Sequence, residues 1–148
     1  MNNFLNFLFM PATPALIHFG LLFLRVGIGI LSIFHGAPKI MGGVNAWYDL
    51  GKMAMSPLGI TFFYTFWGFM AAVTEFFGGI ALVLGLGMRV VNALLVISMI
   101  VAAHWHIQKG DSYMIYSFAL TLIVVHTAFF IIGGDHYSLD YYLFNIKS

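Results

Sequence analysis

The chain has 148 residues, 61% of them hydrophobic and 7% charged, with a formal net charge of +1. Soluble domains carry roughly 25% charged residues, so this balance excludes a nucleic-acid binder and argues against a soluble globular domain. Cysteine is absent, which rules out a disulfide, a thiolate metal site or thiol catalysis within the chain itself.

The N-terminal stretch MNNFLNFLFMPATPA lacks the positive n-region and small-residue cleavage site of a signal peptide, and it is read as retained. Its Phe4, Phe7 and Leu8 suit a short interfacial turn ending at Pro11 and Pro14. The first long apolar run spans about 15–35, with Arg25 at its middle, and stops at His35-Gly36-Ala37-Pro38. A loop over 36–60 follows, carrying Lys39, Trp47, Tyr48, Asp49 and Lys52; within it, Val44 to Met55 reads as an interfacial helix. The second run, about 61–86, begins after Pro57 and Gly59 and holds Glu75 near its centre. The third, about 89–107, starts after Gly85-Leu86-Gly87, and the fourth, about 112–132, ends at Gly133-Gly134. Each run meets the ~17–25 residues that a membrane-spanning helix needs. None alternates as a transmembrane strand does. The expected fold is all-α: an integral membrane, antiparallel four-helix bundle, with residues 1–148 forming one transmembrane domain. An even span number puts both termini on one side. Lys39, Lys52 and Lys109 on the loop side nearly balance Arg89 and Lys147 on the other, so the positive-inside rule does not settle orientation.

A charge at bilayer depth costs at least ~2.5–3.5 kcal/mol and normally takes a partner. Counting ~1.5 Å per residue from the span centres puts Arg25 and Glu75 level to within ~3 Å, so these two are expected to pair. Helical spacing sets His18, Arg25 and Ser32 on one stripe, with Gly29 and Gly36 beside them. Gly68, Glu75 and Gly79 share a face of the second span. Two readings stand: a structural ion pair, or a polar floor for a quinone or small anion with Glu75 as a protonatable group. His35 and Lys39 read either as a polar helix end with a snorkelling lysine or as quinone-carbonyl and anion contacts.

His104 and His106 point roughly 200° apart on a helix. A copper or zinc site of His35, His104 and His106 therefore requires the helix to end near Trp105. His18 and His126 lie roughly level and are candidates for axial haem ligation. The nine methionines read as core filling. Asp135, Ser138 and Asp140 follow a helix end; they read as caps of a short helix carrying Tyr141, Tyr142 and Phe144, or as a docking point for a protein partner.

Arg25-Val-Gly27 followed by His35-Gly36-x-x-Lys39 resembles the first-span signature of the DoxX family. Glu75-x-x-Gly78-Gly79 with Gly85-Leu86-Gly87-x-Arg89 is similar to its second-span signature, and Gly134-Asp135-x-Tyr137-Ser138-Leu139-Asp140 to its C-terminal motif. The resemblance covers about residues 18–142. It implies a small protein of the bacterial inner membrane with both termini cytoplasmic. It further implies association with other membrane or redox subunits, in quinone-coupled sulfur oxidation or oxidative-stress complexes. Because the sequence encodes no redox centre, an oxidoreductase role needs a bound quinone, haem, metal or partner. The leading expectation is a redox subunit, with quinone at a polar site of Arg25, Glu75, His35 and Lys39. The alternatives are a structural or assembly subunit, self-associating or within a larger complex, and a carrier of a small molecule or of copper or zinc.

Overall fold

The computed structural model describes residues 11–144. Thr13 opens the first helix by accepting a hydrogen bond from the Leu16 amide at 3.4 Å, and Pro14 occupies the first turn, where a missing N–H costs nothing. Helix α1 then runs Pro14–Met41, well past the stop expected at residue 35. Gly36 and Pro38 do not end it. Proline removes one backbone bond but is tolerated in apolar helices when neighbours satisfy the freed groups. Here Trp47 Nε1 donates to the Lys39 carbonyl at 2.9 Å and supports the last turn.

Helix α2 (Gly43–Met55) follows at once and ends in a single tight turn, Ser56–Leu58. Then come α3 (Tyr64–Leu84), α4 (Met88–Gln108), α5 (Tyr113–Ile132) and the short α6 (Leu139–Phe144). Helices α1, α3, α4 and α5 are each long and apolar enough to cross a membrane. The chain is a multi-pass membrane protein built as an all-α four-helix bundle. The expected N-terminal interfacial turn of Phe4, Phe7 and Leu8 lies outside the described residues, as does Lys147.

Small residues set the packing. On α1 the buried face is Arg25, Gly29, Ser32 and Gly36. Opposite it, α3 buries Gly68, Ala72, Glu75, Gly78, Gly79 and Leu82. A Cβ added at Gly29 would sit 2.8 Å from the Gly79 carbonyl oxygen, and one at Gly36 would sit 2.5 Å from the Phe76 nitrogen. The two backbones are thus in direct contact, as small-residue faces in membranes allow. The loop helix α2 is held more tightly than an interfacial helix needs to be: Gly51 and Gly68 meet backbone to backbone. Helices α4 and α5 form a second pair. Leu82, Met88, Leu95 and Phe129 make one apolar cluster, and Met99, Ala103, Ala119 and Leu122 make another. Large side chains such as Phe23, Phe34 and Met114 point outward, as expected where lipid is the solvent.

The glycines sort into two kinds with opposite expectations. Gly36→Leu is expected to destabilise the purified protein by about 1–3 kcal/mol through overpacking. Gly20→Leu and Gly27→Leu, where an added Cβ meets nothing within 4 Å, are expected to be neutral. Thermal melting in one detergent compares all three; equal losses would remove the register-setting role of Gly36.

Candidate functional site

The α1–α3 backbone contact determines which charges meet. Gly29 lies against Gly79 and Gly36 against Phe76 in an antiparallel register. Glu75 therefore sits level with Gly36, while Arg25 lies at the other end, beside Gly85. The two expected partners are separated by about 15 Å along α1, and the expected Arg25–Glu75 pair does not form. The longer α1 moves its centre away from Arg25 and brings Lys39 into the bundle. A helical side chain leans towards its own N-terminus, so Lys39 reaches back one turn to Glu75. Lys39 Nζ donates to both carboxylate oxygens of Glu75, at 2.6 and 2.5 Å. The Glu75 side chain is 8% exposed and that of Lys39 is 34% exposed, so the pair lies at the edge of the buried region.

Two cavities flank this pair. The larger, about 480 Å³, lies between α2, α3 and α4; its polar lining includes Lys39, Glu75, Trp67 and His106. The smaller, about 210 Å³, lies between α1, α4 and α5 and includes Ser32 and His35. Lys39, Glu75, Ala102 and His106 line both, so the ion pair and the imidazole stand between the two spaces. The Trp67 Nε1 is buried and has no hydrogen-bond partner among the described residues. His35 packs its ring against Phe118, 5.5 Å between centroids. His106, in the last turn of α4, is hydrogen-bonded through Nδ1 to Asp111 Oδ2, which accepts at 2.7 Å. Lys109 lies 3.6 Å from the same carboxylate and 4.9 Å from the centroid of the Trp105 ring. The His106 hydrogen bond, aided by Lys109, holds the Asp111 carboxyl below its usual range.

Of the four polar residues singled out from the sequence, Glu75, Lys39 and His35 border these cavities and Arg25 does not. Trp67 and His106 were missed as members of the same site. Trp67, Ala71 and Glu75 follow an i, i+4, i+8 stripe, a helical-face signal that placed the indole about two turns from the carboxylate.

Arg25 has another role. It is 1% exposed, and its Nη2 donates to the Tyr137 carbonyl at 3.1 Å. Asp135 and Asp140 are close enough to act on its charge. Gly85, at φ 71°, is required twice over: for its left-handed backbone, and because a Cβ there would fall on the guanidinium. Asp140 accepts from the Gly87 and Met88 amides at 2.7 and 2.8 Å and so caps α4 from a distant part of the chain. Asp135 accepts from the Tyr137 amide, Ser138 Oγ donates to the Asp135 carbonyl, and the Tyr141 amide donates to Ser138 Oγ. Asp135, Ser138 and Asp140 are buried. The polar groups of these three are engaged inside the chain, in the capping and turn bonds just described.

The three histidines considered for copper or zinc are held by different neighbours. Helix α4 runs on to Gln108, which keeps His104 and His106 on different faces. His35 and His106 border a common cavity; His104 borders neither, and its Nε2 is buried without a partner. Among the described residues no group of three or more His, Cys, Asp or Glu side chains gathers as a metal site. The two histidines considered for haem have different neighbours. His18 stacks near His136, 5.6 Å between centroids, whereas His126 Nδ1 bonds Asn92 Oδ1 at 2.8 Å. Asn92 Nδ2 in turn donates to the Met88 carbonyl at 2.6 Å.

Lys39→Met leaves the Glu75 carboxylate uncompensated and is expected to cost up to about 3 kcal/mol. The double variant Lys39→Met/Glu75→Leu is expected to recover most of that loss. A double-mutant cycle on melting temperature reads the coupling; additive losses would mean that the pair contributes nothing.

A family model described as DoxX matches residues 20–108, from within α1 to the end of α4. No curated protein matches the chain.

Proposed function

The chain belongs to the DoxX family, and on that premise we propose that it is a membrane subunit of a redox system that binds quinone in the larger cavity. The observation that carries this reading is the cavity itself. It is about 480 Å³ and mostly apolar, with Lys39, Glu75, Trp67 and His106 among the few polar residues of its wall. Small-molecule sites have this form: an apolar slot with a few placed polar groups. A quinone is an exchangeable lipid-borne substrate with a neutral ring, two carbonyl oxygens and an apolar tail. The Trp67 indole in the cavity wall offers a broad aromatic face for the quinone ring. The Lys39–Glu75 pair offers polarity without net charge, which favours a neutral head over an anion. Met70, Leu94 and Ile97 supply apolar wall for the ring and tail.

The chain encodes no redox centre, so electrons are exchanged with a partner subunit and this chain contributes binding, orientation and proton handling. The proposed setting is the bacterial inner membrane with both termini cytoplasmic, and residues 1–148 acting as one transmembrane domain.

Full-length protein in lipid nanodiscs, titrated with decylubiquinone and followed by quenching of tryptophan fluorescence, tests the reading. One quinone per chain is expected. Trp67→Ala and Glu75→Gln are each expected to weaken binding by about tenfold, near 1.4 kcal/mol, with melting temperature recorded alongside. Protein that takes up no quinone and purifies only with other subunits would overturn this reading in favour of an assembly role.

A further inference from the structure

His106 stands where the cavities approach the loop-side surface. It lines both, and its side chain is 28% exposed. Its Nδ1 is committed to Asp111, which leaves Nε2 as the free ring nitrogen. The charged and titratable groups around it come from three sides: Lys39 and His35 on α1, Glu75 on α3, and Lys109 and Asp111 at the α4–α5 turn. Glu75 is held through both its oxygens by Lys39. His35 borders the smaller cavity alone and is turned onto Phe118. Among the described residues His106 is therefore the one imidazole lining the larger cavity, and it already carries an orienting carboxylate. A histidine fixed in this way has one nitrogen set for proton transfer and a carboxylate that stabilises the charged ring.

We infer that His106, oriented by Asp111, is the proton-exchange base between the quinone cavity and water at the α4–α5 turn. The inference rests on the proposed quinone reading. In the oxidative direction His106 Nε2 takes a proton from a hydroxyl of the hydroquinone. Its two electrons leave to a one-electron acceptor in two steps, and both ring C–O bonds become carbonyls. The imidazolium passes its proton to water, and a second turn removes the second proton. In the reductive direction His106 returns two protons as a donor subunit supplies two electrons. Asp111 touches neither substrate nor cavity; it is a positioning residue.

The test uses full-length protein in nanodiscs loaded with decylubiquinol and mixed with ferricenium, an oxidant that exchanges no protons. Quinone formation is followed by absorbance and proton release by a pH-indicator dye. The wild type is expected to release two protons in step with oxidation, and to slow as pH falls and the imidazole becomes protonated. With quinol saturating, His106→Gln and His106→Ala are expected to slow proton release by at least about tenfold. Added imidazole is expected to restore the His106→Ala rate, which repair of packing alone would not do. Asp111→Asn is expected to move the acid limb of the rate profile to lower pH. Variants that bind quinone and release protons at the wild-type rate and pH dependence would overturn the inference and leave quinone binding standing. Failure of the wild type to bind decylubiquinol would instead overturn the ligand reading on which the inference rests.

Discussion

Backbone contact between α1 and α3 is the constraint on which the rest depends. Where Gly29 meets Gly79 and Gly36 meets Phe76, no side chain fits between the helices. A slide of one residue along the axis, about 1.5 Å, would drive a side chain into a carbonyl. The register is therefore discrete, and it assigns every charged residue on these helices a level. Glu75 receives Lys39, and Arg25 receives the segment after α5. Neither assignment needs the two charges to have sought each other; each finds the partner its level provides. Leaving a charge unpartnered at that depth is the outcome the membrane penalises most.

The two charged stations differ in kind. The Arg25 end is closed: its guanidinium is buried, its neighbours are bonded to one another, and backbone fills the space beside it at Gly85. At the Lys39–Glu75 end the structure is open. Helix pairs α1–α3 and α4–α5 meet loosely there, and α2 roofs a space that no large side chain fills. A packed end specifies the fold and an unpacked end accommodates a ligand, which is the usual division between scaffold and site.

Much of this was legible in the chain. Four long apolar runs with Gly or Pro punctuation mark α1, α3, α4 and α5, and the small-residue stripes of Gly29, Ser32, Gly36 and of Gly68, Glu75, Gly79 are the faces that become buried. That Arg25 and Glu75 need partners was also legible; which partners was not. Gly36 and Pro38 look like a helix stop, and reading them so assigns Lys39 to a loop. Centring each span then makes Arg25 and Glu75 level, when the register comes from glycine contacts that only the folded pair displays. The 200° between His104 and His106 said that they part, but not which one meets the cavity. The cavity itself is a gap between elements, and no single segment encodes a gap. The Asp140 cap was hidden for a related reason: it joins residues 52 and 53 positions apart, and an acidic residue inside a short terminal helix looks like an ordinary first-turn carboxylate.

That cap has a consequence for biogenesis. The first amides of α4 are satisfied by a carboxylate that the ribosome adds more than fifty residues later. Until then the first amides of α4 lack that carboxylate, and the Arg25 guanidinium lacks the Tyr137 carbonyl that it donates to. Until residues 133–144 emerge, a membrane-integrated nascent chain carries an uncapped helix start and an unsatisfied cation at the same spot. The last segment thus acts as the closing clasp of assembly, and a chain stalled or clipped before Asp140 presents that open corner to quality control.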